Sequence, residues 1–131
     1  MEKNTTWYVV DYLLVMAKKK LIFINAHHNR DSSYLIKKTG DVVLCNTRPP
    51  PEGGTGTALV VTLPRAQENA GRVITIKDAG AYAAINKITI QRQAADLIEG
   101  GNTTIIIHEP SAFRTLISDG IDTWHEIGIK I

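Results

Sequence analysis

Four histidines and thirteen acidic side chains are the residues of this chain with the means to move a proton or hold a metal. His108-Glu109 and His125-Glu126 each set a base beside a carboxylate, the combination that general acid–base catalysis requires. In extended chain, however, successive side chains point to opposite sides, so neither neighbour pair forms a dyad. The same geometry splits His27-His28, and no cysteine or carboxylate stands at ligand spacing from them; they are expected to be surface histidines rather than metal ligands. Most acids, Asp41, Asp78 and Asp119-Gly120 among them, fall in turns, where a short carboxylate caps backbone amides. Cys45 is the single cysteine. It follows Val42-Val43-Leu44 and reads as a small buried hydrophobe, not a nucleophile, and alone it cannot make an internal disulfide. Gly-x-Ser-x-Gly, His-Glu-x-x-His and phosphate-loop patterns are absent. The expectation is a protein with no catalytic residue, no cofactor and no metal.

The elements that carry these residues belong to one ordinary globular unit. The chain has 131 residues, of which 44% are hydrophobic and 21% charged, and its net charge is +2. That balance gives no reason to expect a nucleic-acid partner. The apolar stretch from Trp7 to Ala17 is shorter than the ~20 residues a membrane-spanning helix needs, and Asp11 interrupts it. Lys18, Lys19 and Lys20 follow this stretch, whereas an export signal carries its positive charge first. Neither a membrane nor an export route is expected, and a lone cysteine fits synthesis in a reducing cytoplasm.

Two parts are expected. Residues 1–32 form an extended N-terminal arm, with apolar runs around the lysine triplet and no turn to fold back on; the alternative is that the segment adds a strand or helix to its own domain. Residues 33–131 form an all-β module, a β-sandwich or barrel-like unit, because short apolar runs recur between turn residues. The runs are Tyr34–Ile36, Val42–Leu44, Ala58–Leu63, Val73–Lys77, Lys87–Ile90, Thr103–Ile107, Arg114–Ile117 and Trp124–Ile129. Thr39-Gly40-Asp41 is expected to join the first two as a turn. Pro49-Pro50-Pro51-Glu52-Gly53-Gly54 reads as a loop, and Pro64 as a strand stop. The expected core is Leu59, Val61, Leu63, Ile74, Ile76, Ile88, Ile90, Ile105, Ile107, Leu116, Ile117 and Trp124.

Five of these pieces, in order, resemble a recurring viral β-module: Val61-Thr62-Leu63-Pro64, Gly71-Arg72-Val73-Ile74-Thr75-Ile76-Lys77-Asp78, Asn86-Lys87-Ile88-Thr89-Ile90, Leu116-Ile117-Ser118-Asp119-Gly120, and Trp124. The module occurs in capsid-decoration (cement), head-fibre and tail-fibre knob proteins of tailed phages and some other viruses. The likeness spans about Asp41 to Ile127. Ile98-Glu99-Gly100-Gly101 and Ser111-Ala112-Phe113 depart from it, and the first thirty residues have no counterpart. The resemblance implies a homotrimer on the virion surface. The function expected first is a cement protein that binds the major capsid protein and stabilises the head shell. A receptor-binding knob that takes a host-surface glycan or receptor is the alternative, and a glycan-degrading spike is disfavoured by the short chain. Tyr8, Val9, Leu13, Lys18, Lys19, Lys20, Leu21 and Phe23 are the expected capsid contacts.

Overall fold

The computed structural model describes residues 20–28 and 32–131. Tyr8, Val9, Leu13, Lys18 and Lys19 lie outside the described residues. The described chain is all-β and almost free of helix. Its strands are β1 (Leu21–Asn25), β2 (Ser33–Leu35), β3 (Val42–Asn46), β4 (Leu59–Thr62), β5 (Val73–Asp78), β6 (Ile88–Gln91), β7 (Leu97–Ile98), β8 (Thr104–Ile107), β9 (Phe113–Ser118) and β10 (Thr123–Lys130). They form a six-stranded sheet in the order β1-β3-β5-β9-β10-β7 and a four-stranded sheet in the order β2-β4-β6-β8.

Strands β1 to β6 alternate between the two sheets, so the chain advances as a coil. β1, β3 and β5 stack in parallel in one sheet, and β2, β4 and β6 in the other. Parallel neighbours need a crossover of a dozen or more residues. Here each crossover carries a strand of the opposite sheet. The coil ends in antiparallel strands: β8 pairs with β6, β9 with β5, and β10 with β9.

The expected turn at Thr39-Gly40-Asp41 joins the two runs across the sheets, not as a hairpin. β2 and β3 belong to different sheets. Gly40, at φ +124°, turns the chain across instead of back, and the amides of Asp41 and Val42 donate to Lys20 O at 2.9 and 3.1 Å. Turn residues between short apolar runs suit a coil as well as a hairpin meander. The true hairpin is β9–β10, where Gly120 has φ +78° and a Cβ would come 2.5 Å from Ala70 Cβ.

Part of the expected arm is also relocated. Leu21–Asn25 is the edge strand of the six-stranded sheet, paired in parallel with Val42–Asn46. Its alternation explains this: Ile24 is buried and Ile22 packs against the core, leaving Leu21 and Phe23 outward. The expected boundary after residue 32 therefore falls inside the sheet system.

One hydrophobic core draws on both sheets. Ten of the twelve expected core residues are buried, so the strand parity was legible; Ile105 packs at the core margin and Ile117 points away from it. Val43, Cys45 and Ile98 complete the interior. Polar groups inside it pin loops. Trp124 Nε1 donates to Pro64 O at 2.9 Å, and Ser118 Oγ donates to Ala66 O at 2.7 Å. The buried Asp96 accepts from the Ala66 amide at 2.7 Å. Buried Asp78 accepts from the amides of Ala83 and Ser111, both at 3.0 Å. Burying a carboxylate is tolerable when it is hydrogen-bonded in this way.

Candidate interaction surface

The register of the six-stranded sheet decides which side chains share its outer face. In a paired ladder, partners point to the same side and alternate residues to opposite sides. Leu21 and Phe23 pair with Val42 and Leu44. These pair with Thr75 and Lys77. Thr75, Lys77 and Val73 pair with Thr115, Phe113 and Ile117. The outer face thus carries Leu21, Phe23, Val42, Leu44, Val73, Phe113 and Ile117, with Lys77 and His125 among them, around a threonine pair whose hydroxyls lie 2.9 Å apart. Leu21 and Phe23 are 60% and 57% exposed, and the rest of these apolar residues are half-buried by one another.

Three of the expected contact residues, Lys20, Leu21 and Phe23, therefore sit at one margin of this face, with Lys20 exposed. Val42, Leu44, Phe113 and Ile117 are surface residues that the sequence reading missed. The signal for them was present: Val42-Val43-Leu44 is apolar at both parities. A strand apolar on both sides is covered on both sides or awaits a cover.

Among the described residues β3 is the only sheet neighbour of β1, whose other edge is unpaired among them. At its end Asn46 Nδ2 donates to Asn25 Oδ1 at 3.0 Å, one rung of an amide stack between adjacent coils. Ile127 and Ile129 on β10, and Ile131 just past it, add further exposed apolar groups. A β-bulge between Glu126 and Gly128 shifts the register there. An open edge beside an apolar face is a template for pairing with another chain.

The groups with catalytic potential are tied into the scaffold. Asp119 Oδ1 accepts from the amides of Ile121, Asp122 and Thr123 at 2.8–3.1 Å. Those backbone donors, with the His125 side chain, hold its carboxyl down at about 2. His125 Nε2 lies 3.2 Å from Asp119 Oδ2, so its partner is not the adjacent Glu126. Glu126 pairs with Arg114 at 2.7 Å. His108 and Glu109 lie just past β8, where the chain is no longer extended; their side chains approach to 3.6 Å, both solvent-exposed. Cys45 is fully buried, and burial, with a smaller contribution from Asp78, pushes its thiol up to about 12. Among the described residues no three His, Cys, Asp or Glu side chains cluster to hold a metal ion, and no helix is long and apolar enough to cross a membrane.

No family model matches the chain, and no curated protein matches it in sequence.

Proposed function

We propose that this chain is a non-enzymatic structural protein of a virus particle, assembled as a homotrimer, that acts as a capsid cement or decoration protein on the major capsid protein. The observation that carries this reading is the largely apolar outer face of the six-stranded sheet, continuous with the edge of β1 that is unpaired among the described residues. A soluble monomer rarely leaves such a face uncovered, and an arm or edge shared between subunits adds contact area without enlarging the core. Two facing sheets over one core agree with a β-sandwich-like module of the kind the sequence resembles. The engagement of Asp78, Asp96, Asp119 and Glu126 in structural bonds favours a binding role over a catalytic one. Sedimentation of the purified protein should give three times the 14.4 kDa chain mass. Particles stripped of it should take it back to saturation over the shell. A monomer both in solution and on the particle overturns the trimer, and uptake at the tail alone moves the protein to a fibre knob.

A further inference from the structure

At one end of the four-stranded sheet, three successive turns of the coil round the same corner. Leu35, Thr62 and Gln91 are in register. The ladder runs one residue further, with the Ile36 amide donating to Thr62 O at 3.0 Å and the Leu63 amide to Gln91 O at 2.9 Å. The residues that follow, Lys37-Lys38, Pro64-Arg65 and Gln93, line an open hollow of about 520 Å³ with Glu68 on its rim. That size suits a small-molecule site, which typically spans about 300–1,000 Å³.

Lys37, Lys38 and Arg65 line this hollow with Glu68, and Asp96 lies behind Arg65, so the cations outnumber the carboxylates three to two. Like charges around one hollow repel, and an anion between them turns that repulsion into attraction. Among the described residues, Lys37 and Lys38 form no ion pair. Arg65 is held from behind: its Nε faces Asp96 Oδ1 at 3.4 Å, and that carboxylate is buried, with 2% of its side chain exposed. The two Nη atoms of Arg65 donate to nothing among the described residues, although they are the fork that matches a carboxylate or phosphate. The Gln93 side-chain amide is likewise unengaged among the described residues. A buried acid that orients an arginine, with two lysines and a free amide around the same hollow, is the make-up of a built anion site.

The geometry points to an oxyanion-binding site at this corner, formed by Lys37, Lys38, Arg65 and Gln93, that takes a carboxylate or phosphate carried on a small polar molecule such as an acidic or phosphorylated sugar. It is independent of the assembly reading, because the hollow opens off the four-stranded sheet. Titration of the full chain at low salt with inorganic phosphate, glucuronate and neutral glucose, followed by amide NMR, tests it. Saturable shifts centred on Lys37, Lys38, Arg65 and Gln93 are expected with phosphate, glucuronate or both, and none with glucose. Phosphate alone identifies a phosphorylated ligand, and glucuronate alone a sugar acid. Lys37→Gln/Lys38→Gln, at exposed positions that leave the fold intact, should weaken binding about tenfold, the loss expected for a charged hydrogen bond. Arg65→Lys, which keeps the Asp96 partner, should weaken it by a similar factor, and Lys87→Gln not at all. Shifts spread evenly over Lys87, Lys130 and the corner, or unchanged affinity in the double variant, overturn the assignment.

Discussion

The two sheets of this protein are alike inside and unlike outside. Their inner faces present a like alternation of apolar residues, mostly Ile, Leu and Val, and both bury most of it. Outward, the four-stranded sheet carries Ser33, Leu35, Val60, Thr62, Thr89, Gln91, Thr104 and Ile106, with Gln91 donating to Thr62 across the ladder at 2.8 Å. The outer face of the six-stranded sheet carries mainly Leu, Phe, Val and Ile. The hydroxyl and amide side chains of the first face satisfy one another and water around Leu35, Val60 and Ile106, so it is the more polar of the two. On the proposed reading the second is the face that a partner covers. The inner pattern specifies the fold, and the difference between the outer faces is what the proposed association would use.

The strongest way to break that comparison is to find the inner faces unequal. Ile76 lies inside the six-stranded sheet and Ile90 inside the four-stranded sheet, both fully buried. Ile76→Ala and Ile90→Ala should each destabilise by ~2–5 kcal/mol, the usual range for deleting a buried aliphatic side chain. Thermal or urea unfolding measures this. If one substitution leaves the transition unchanged, that sheet does not share the core.

The outer faces differ in what a charge does to them. If the proposed trimer packs through this face, Phe23→Asp should dissociate it, because a carboxylate on a covered apolar face loses its water. Fold stability should change little, since Phe23 is more than half exposed in the single chain and such surface changes stay within about 0.5 kcal/mol. Val60→Asp, on the other outer face, should leave the assembled mass intact. Sedimentation of both variants decides the matter: an undisturbed oligomer in Phe23→Asp removes the outer face from the interface.

How much of this was legible in the sequence depends on how local the signal was. Strand parity was, because apolar alternation is local: Leu59, Val61, Ile74, Ile76, Ile88 and Ile90 needed only their neighbours. Sheet membership was not. Whether Thr39-Gly40-Asp41 reverses the chain or carries it across depends on Gly40 φ and on Lys20 O, a partner twenty-one residues from Asp41. Ile117 was misassigned for the same reason: Leu116 and Ile117 are equally apolar, and only pairing with Ile74 and Val73 separates inside from outside. The β1 strand was visible as an apolar run, and its place in the domain's own sheet only as the alternative to an arm, because its partner β3 lies some twenty residues along the chain. The anion hollow left no local motif, since Lys37, Arg65 and Gln93 converge only through stacking of the coils.

Acid should separate the sheets. Asp119 staples the β9–β10 hairpin, which belongs to the six-stranded sheet alone. Its carboxyl lies at about 2 in the fold against an ordinary value of 3.8. The lowered value means that the folded state prefers the charged form. The staple is fully present above the ordinary value and is lost as pH falls through about 2. Hydrogen exchange between pH 4 and 2 should deprotect β9 and β10 before β4 and β6, and Asp119→Ala should abolish that difference while loosening the hairpin at every pH. Simultaneous deprotection of both sheets in the wild type overturns the assignment.

The smallest expected effect reads the inner and outer faces of one strand. Cys45 and Leu44 are neighbours on β3, one inward and one outward. With its thiol pushed up to about 12 and no exposed surface, Cys45 has neither the thiolate nor the access that a thiol reagent needs near neutral pH. In the native protein it should label only as fast as the chain opens, and denaturant should release the full reaction. Leu44→Cys in a Cys45→Ala background moves the thiol to the outer face. There it should label readily at concentrations that favour single chains and become protected as the protein is concentrated into its assembly. Labelling of Leu44→Cys that ignores protein concentration would mean that nothing covers the outer face, and rapid native labelling of Cys45 would mean that β3 is turned the other way.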